Sequence, residues 1–118
     1  MHTGVVTCRP DATLRTVAAL LAAHRIHAVV VASADEAAPC AVVTDRDVIL
    51  GHSRGNLDRL TAQAAASEPT VTVRADLALR YASEAMAQYG TTHLVVTDPR
   101  DGRPIGIISS LDVANAIS

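Results

Sequence analysis

The segment Ala41–Asp47 reads AVVTDRD, and the segment Gly106–Asp112 reads GIISSLD. In each, a small residue precedes two β-branched residues and a hydroxyl residue, and an aspartate follows three positions after the hydroxyl. β-Branched runs favour strands, and a hydroxyl or acidic residue after such a run favours the start of a helix. The pattern predicts a strand that turns directly into a helix, and its two copies lie 65 positions apart.

The rest of the chain matches itself at the same 65-residue shift, without a gap. Identical pairs at this shift are Thr7 with Thr72, Arg9 with Arg74, Asp11 with Asp76, Leu14 with Leu79, Val30 with Val95, and Asp47 with Asp112. A repeat of this kind determines the architecture. We assign residues 1–55 to the first repeat, residues 56–69 to a linker with a short helix, and residues 70–118 to the second repeat. One repeat alone would bury little surface, so the two are expected to form one compact module.

Composition restricts both the core and the class of partner. Apolar residues make up 49% of the chain, Phe and Trp are absent, and Tyr81 and Tyr89 are the only aromatic residues, so an aliphatic core is expected. The net charge is −2 and the chain contains no lysine, which makes a nucleic-acid partner unlikely. No apolar run reaches the length of a membrane span, and no secretion signal is evident. We therefore predict a cytoplasmic protein without a membrane partner.

Each repeat is predicted to fold as strand, helix, strand, strand and short helix, an α/β (α+β) class. The predicted strands are Val5–Cys8, Ala28–Ala32 and Cys40–Val43, and then Val71–Arg74, Leu94–Thr97 and Ile105–Ile108. Two such β-α-β-β-α repeats would pack about a pseudo-twofold axis. The turns are expected in Ser33–Pro39 and Asp98–Pro104, and the linker helix within Leu57–Ala66.

Asp11 and Asp76 are the predicted N-caps of the two longer helices, and the shorter helices should begin near Asp45 and Ser110. The apolar stripes expected to face the core are Leu14, Val17, Ala18 and Leu21, and then Leu79, Ala82, Ser83 and Met86. Gly90 is a natural helix stop, unlike its counterpart Arg25.

Two residue types invite other interpretations. Cys8 and Cys40 correspond to Val73 and Ile105, so they are predicted to be small core residues rather than disulfide partners. His24 and His27 have a spacing that could chelate a metal, but His27 should already lie on a strand and no further ligand completes the set. No metal site is therefore predicted.

With its duplicated Thr/Ser-x-x-Asp motif, its spacing and its flanking helices, the chain resembles a tandem pair of CBS domains, the regulatory module named after cystathionine beta-synthase. The resemblance covers residues 3–117, although Ala41 replaces the usual glycine of the motif. It implies a sensor that binds adenosine nucleotides between its repeats. An enzyme is not expected, because no serine elbow, Cys-His signature or P-loop occurs.

The resemblance also implies roles for individual residues. Thr44 and Ser109 would bind phosphate, and Asp47 and Asp112 would bind the ribose hydroxyls. The helix start itself favours an anion. Further expected site residues are His27, His93 and Arg46 toward phosphate, Val5 and Thr70 in the base pockets, and Asp45, Gly106, Ile107 and Ser110 within the motifs. Each Thr/Ser-x-x-Asp pair also resembles a capping box, so either pair could simply start its helix.

The site with Ser109 and Asp112 is expected to be the better formed. Gly106 opens the backbone there and Ser110 adds a hydroxyl, whereas Asp45 would repel phosphate at the other site unless Arg46 offsets it. Which first strand serves which aspartate is left open.

No cofactor is required by this interpretation. AMP, ADP, ATP or S-adenosylmethionine is the expected regulatory ligand, with or without Mg²⁺. The resemblance implies a homodimer formed through the helices, and an effector protein is an expected partner. The alternative is a protein-interaction module with vestigial nucleotide sites. Clefts filled by side chains would favour that alternative, and open clefts beside Asp47 or Asp112 would favour the sensor.

Overall fold

The computed structural model describes residues 5–33 and 39–118, apart from the side chain of Leu79. The strands are β1 (Thr7–Cys8), β2 (Ala28–Ala32), β3 (Pro39–Thr44), β4 (Thr72–Arg74), β5 (His93–Thr97) and β6 (Pro104–Ser109). The helices are α1 (Leu14–His24), α2 (Asp45–Ser53), α3 (Ala62–Ala65), α4 (Ala78–Tyr89) and α5 (Ser110–Ile117). The predicted β-α-β-β-α order of both repeats is confirmed, with α3 in the linker.

The two repeats form separate three-stranded sheets with the same topology, β1-β2-β3 and β4-β5-β6. In each sheet the first strand pairs parallel to the second, and the second pairs antiparallel to the third. Parallel pairing requires a long crossover, which α1 and α4 supply. The registers also correspond, since Val30 lies opposite Val42 and Val95 lies opposite Ile107.

The central strands are buried on both faces. In the first repeat Val29 and Val31 pack with Leu14, Val17 and other α1 residues in one cluster. A second cluster joins the sheets, where Ala28, Val30 and Val42 of the first repeat meet Val95 and Ile107 of the second. Burial on both faces explains why the strands read as continuous valine runs instead of alternating polar and apolar residues.

The predicted N-caps at Asp11 and Asp76 are wrong. Thr13 caps α1 by accepting a hydrogen bond from the Thr16 N–H at 3.2 Å, and Leu77 precedes α4 without a side-chain cap. The aspartates lie in the turns that precede the helices, where Asp11 pairs with Arg9 and Asp76 pairs with Arg74. Each aspartate therefore binds an arginine in the turn before its helix and does not accept hydrogen bonds from the first N–H groups of that helix.

The predicted linker helix over Leu57–Ala66 is shortened to α3. The carbonyl groups of Leu57 and Leu60 accept hydrogen bonds from the backbone N–H groups of Arg15 and Leu14, each at 3.1 Å. These carbonyls therefore satisfy the open N-terminus of α1 and do not continue a helix of their own.

Smaller differences concern element ends and side chains. Val5 lies before β1, and Val71 lies before β4. Ser83 of the α4 stripe is exposed, and Ala78 is buried. The predicted turn Ser33–Pro39 falls largely outside the described residues, whereas Asp98 closes the second turn by accepting from the Gly102 N–H at 2.8 Å.

Both longer helices end in the left-handed conformation. Gly90 adopts φ of 64° after α4, as predicted, and its counterpart Arg25 adopts φ of 54° after α1. A non-glycine residue in this region is strained. Arg25 therefore adopts the same left-handed conformation as Gly90, although arginine does not favour it.

Cys8 and Cys40 are free and partly buried against the α1 side of the core, as predicted. β1 and β3 flank β2, so the two Cα atoms are separated by two strand spacings, about 10 Å, which exceeds the reach of a disulfide. Burial, reinforced by Cys40, raises the pKa of the Cys8 thiol to about 11, so Cys8 is a protonated, unreactive core residue.

Within the described part of the chain, no helix combines the length and the hydrophobicity needed to cross a membrane.

The corrected cap can be tested by two neighbouring substitutions. Thr13→Ala should lower the free energy of unfolding by about 1 kcal/mol, because α1 loses its side-chain acceptor. Asp11→Ala is the matched control and should change it by less than about 0.5 kcal/mol, because both partners of the Arg9 pair are exposed. Urea unfolding followed by circular dichroism measures both values. A larger cost for Asp11→Ala would contradict the assignment of Thr13 as the cap.

Candidate functional site

A cavity of about 450 Å³ opens between the repeats. The first repeat contributes Val5, Val6, His24, Ile26, His27 and Ala28, and the second contributes His93, Ile107, Ser109, Leu111 and Asp112. The volume lies within the range of small-molecule sites, about 300–1,000 Å³. We call this cavity the Asp112 cleft.

The floor of the Asp112 cleft continues the core between the sheets. Val5, Ala28 and Ile107 belong both to the cluster that joins the sheets and to the cleft lining. The space is therefore the outer end of the interface between the sheets, where the packed side chains stop. It is apolar on this side and polar where β6 turns into α5.

The polar side is the start of α5. The Ser109 side chain accepts from the Asp112 N–H at 3.2 Å, and the Asp112 carboxylate accepts from the Ser109 N–H at 2.8 Å. This is the capping box that the sequence left as an alternative role. Partial burial opposes ionisation of Asp112, but hydrogen bonds such as that from the Ser109 N–H outweigh it and hold the pKa of the carboxyl below its usual range. Asp112 is therefore an anion at neutral pH, beside the positive end of a helix dipole.

The equivalent junction in the first repeat is closed. Thr44 and Asp47 form the same capping box, with Thr44 N–H donating to Asp47 Oδ2 at 2.9 Å. The other oxygen, Oδ1, accepts from the Ser67 hydroxyl at 2.5 Å. Thr44 is 4% exposed and Asp47 is 3% exposed, so both are core residues.

The linker causes this closure. Ser67 covers Asp47, and Thr70 donates to the Cys40 carbonyl oxygen at 3.2 Å. Between them, Glu68 accepts from the Thr91 hydroxyl at 2.7 Å and from the Thr92 N–H at 2.5 Å. The counterparts of Ser67 and Glu68 ahead of the first repeat are His2 and Thr3, which lie outside the described residues.

Histidines from both repeats lie at the Asp112 cleft. His27 Nδ1 is 2.9 Å from Asp45 Oδ2, and His93 Nδ1 is 2.9 Å from the Thr92 hydroxyl. Asp45 was expected to repel phosphate at the other site, but its carboxylate instead binds the histidine of this cleft.

The structure brings together six of the predicted site residues and separates the rest. Val5, His27, His93, Ile107, Ser109 and Asp112 line the cleft, whereas Thr44, Asp45, Arg46, Asp47, Thr70, Gly106 and Ser110 do not. Gly106 is buried opposite Val96, and the Ser110 N–H donates to the Thr92 carbonyl oxygen at 2.8 Å. Arg46 is exposed on α2.

The lining residues that the sequence did not indicate are Val6, His24, Ile26, Ala28 and Leu111. His24 is the last residue of α1 and Ile26 follows that helix. The available sequence signal for these two residues was their position at the helix end, next to the predicted site residue His27. The sequence left open which first strand lies with which aspartate, and in the structure Val5 lines the same cavity as Asp112.

No group of three or more His, Cys, Asp or Glu side chains in residues 5–33 and 39–118 is arranged to hold a metal ion.

Comparisons with known proteins agree with this fold. A family model for the CBS domain matches residues 1–51 and 62–118. An uncharacterized protein of Methanopyrus kandleri, MK0525, is 30% identical over 111 residues, which are 92% of this chain and 56% of that protein. The chain thus spans little more than half the length of this curated relative.

Two solved structures share the fold. The CBS domain protein PAE2072 from Pyrobaculum aerophilum, complexed with AMP, is 29% identical with a TM-score of 0.82, covering 95% of this chain and 85% of that chain. The CBS domain pair of protein MJ0100, complexed with 5′-methylthioadenosine and S-adenosyl-L-methionine, is 16% identical with a TM-score of 0.82, covering 99% of this chain and 94% of that chain. The latter likeness concerns the fold alone.

The two capping aspartates should differ in their contribution to stability without ligand. Asp47→Ala should lower the free energy of unfolding by about 2–3 kcal/mol, because the buried Thr44 N–H and the Ser67 hydroxyl lose their charged acceptor. Asp112→Ala should cost about 1 kcal/mol, the usual value of a helix cap. Urea unfolding of both variants measures the difference.

Ser67→Ala provides the control for the closed junction. Combined with Asp47→Ala, it should cost less than the sum of the single changes by at least about 0.5 kcal/mol, because the two side chains share one hydrogen bond. Equal costs for Asp47→Ala and Asp112→Ala, or strict additivity with Ser67→Ala, would contradict the closure described above.

Proposed function

The chain belongs to the CBS domain family, and we propose that it is a regulatory sensor, not an enzyme, that binds one adenosine nucleotide per chain in the Asp112 cleft. The observation that carries this proposal is the difference between the two motifs. One motif borders an open cavity of ligand size, and its counterpart is buried under the linker. The AMP complex of the relative from Pyrobaculum aerophilum supports a ligand of the adenosine class.

The cleft offers complementary chemistry to each part of a nucleotide. The Asp112 carboxylate is suited to accept hydrogen bonds from the ribose hydroxyls. The Ser109 hydroxyl, which can donate a hydrogen bond, and the positive end of the α5 dipole are suited to a phosphate, because both favour an anion. Val5, Ile26 and Ile107 supply aliphatic surface for the base, in a chain that has only two aromatic residues.

The Thr44 and Asp47 motif has a structural role in this proposal. Both Asp47 oxygens already accept hydrogen bonds within the chain, so a ribose could bind there only after Ser67 had moved. We therefore assign Thr44, Asp47 and Thr70 to the joint between the linker and the first repeat. We assign no ligand contact to the exposed Arg46. One ligand per chain follows.

Assembly forms a further part of the proposal. Ile49 on α2 is 66% exposed, and Leu111 and Ile117 on α5 are 66% and 80% exposed. A contiguous exposed apolar patch favours a protein partner, and we assign these three side chains to such a patch. We propose a homodimer through α2 and α5 and an effector protein that senses the occupied cleft. The protein would act in the cytoplasm and require no cofactor, with Mg²⁺ needed only if the ligand carries more than one phosphate.

The second candidate function is a protein-interaction module with vestigial nucleotide sites. The closed junction at Asp47 and the exposed apolar residues of α2 and α5 favour it. The two candidates differ in one measurable property, because only the sensor binds an adenosine ligand through Asp112.

Ligand binding can be detected through stability. A nucleotide present at 100 times its dissociation constant should raise the free energy of unfolding by about 2.7 kcal/mol. Thermal shift with AMP, ADP, ATP with and without Mg²⁺, and S-adenosylmethionine identifies the ligand, and calorimetry should give one site per chain. Asp112→Ala should weaken binding about 10- to 150-fold through loss of a charge-assisted hydrogen bond, whereas the exposed Asp76→Ala should not. No shift with any of these ligands would favour the interaction module.

Assembly can be tested by light scattering at several concentrations. The parent should have about twice the chain mass of 12.3 kDa. Ile49→Glu and Ile117→Glu together should give the monomer, because they place charges in the proposed interface. Ile105→Glu, at an exposed apolar residue on β6, is the control and should leave the dimer intact. A mass of 12.3 kDa for the parent at every concentration would exclude the homodimer.

A further inference from the structure

We propose that three histidines determine the affinity of the Asp112 cleft for phosphate, so that binding of a phosphate-bearing ligand takes up protons near neutral pH. The histidines are His24 and His27 of the first repeat and His93 of the second. This inference rests on the proposed nucleotide function and adds a proton linkage to the same site.

The charge inventory of the cleft is the first support. Among the described residues that line it, the ionisable side chains are the three histidines and Asp112, with no arginine. The chain contains no lysine at all. Histidine is the side chain that ordinarily changes charge between pH 5 and 8. The positive charge that the described lining offers to a phosphate therefore depends on pH.

The arrangement of two of the histidines is the second support. His27 Nδ1 lies 2.9 Å from Asp45 Oδ2, and His93 Nδ1 lies 3.9 Å from Glu68 Oε2. Hydrogen bonding at Nδ1 leaves Nε2 as the ring nitrogen that can meet a ligand. The repeat does not explain this likeness, because Asp45 corresponds to Ser110 and Glu68 corresponds to Thr3. A carboxylate thus lies near Nδ1 of a histidine on each side of the cleft, from unrelated positions. Asp45 contacts His27 directly. The Thr92 hydroxyl, 2.9 Å from His93 Nδ1 and 2.8 Å from Glu68 Oε2, links His93 to Glu68.

The surrounding carboxylates set the sign of the effect. Asp45, Glu68 and Asp112 face the three histidines or the cleft itself. Partial burial opposes ionisation of Glu68, but hydrogen bonds from Thr92 and Thr91 outweigh it and hold its pKa below the usual range. With neutral histidines these carboxylates leave the region negative and unfavourable to phosphate. Protonated histidines offset that charge, so lower pH should strengthen phosphate binding.

His24 completes the set from the end of α1. It lies in the last turn, where the helix dipole favours a cation. His52 occupies the equivalent place in the last turn of α2 and is exposed like His24, but it does not line the cleft. His52 therefore provides a matched control.

The first experiment compares AMP with adenosine by calorimetry at about pH 6.5 and about pH 8, a range in which histidine loses its proton. By linkage, one proton taken up on binding changes affinity by up to about tenfold per pH unit. We expect AMP to bind roughly tenfold more weakly at the higher pH, and adenosine, which lacks the phosphate, to change less than about twofold. Equal affinity for AMP at both pH values would overturn the inference and leave the proposed function standing.

The second experiment counts protons. At neutral pH, AMP titrations in two buffers of different ionisation enthalpy should show uptake of roughly one proton per ligand. His24→Gln with His27→Gln should reduce that uptake by at least about half, and His52→Gln should leave it unchanged. Unchanged uptake in the double variant would place the protons elsewhere and overturn the inference. Failure of both AMP and adenosine to bind at any pH would instead overturn the proposed function, and the inference with it.

Discussion

Burial of the central strands on both faces is the constraint on which the rest of the structure depends. β2 and β5 are covered by helices of their own repeat on one side and by the other repeat on the opposite side. Val30 and Val95 are fully buried as a result. Since packed aliphatic side chains exclude water from the whole of this interface, a ligand can enter only where the interface ends. The candidate site therefore lies where the packed aliphatic side chains between the two sheets end.

The two ends of that interface were equivalent in sequence and became different in structure. At one end Ser67 completes the hydrogen bonds of Asp47, and the junction is part of the core. At the other end Asp112 lines an open cleft together with three histidines. One copy of the duplicated motif thus contributes stability and the other contributes the candidate site. The linker, through Ser67 and Thr70, accounts for the closure of the first junction.

Prediction from sequence succeeded where a pattern depends on many residues and failed where one side chain chose between partners. The valine runs and the 65-residue shift predicted both sheets, because strand burial is spread over every position. The N-cap was assigned to Asp11, although Thr13 forms it. Both residue types cap helices well, and the sequence did not reveal that Asp11 pairs with Arg9. Closure of the Asp47 junction depends on Ser67, which lies 20 positions away and has no counterpart in the described part of the first repeat. His24 was not predicted as a site residue, because its place in a cleft shared with the second repeat is a tertiary property.

The aliphatic core has a consequence for spectroscopy. Tyr81 and Tyr89 are the only intrinsic chromophores of the near ultraviolet, and both lie on α4, where they are 38% and 53% exposed. Fluorescence of this protein is therefore a local reporter of one helix surface in the second repeat and is silent about the first. An adenine base, by contrast, would bring the strongest absorbing group in the complex into a cleft whose described lining contains no tyrosine. The ligand itself would then be the optical label of the site that holds it.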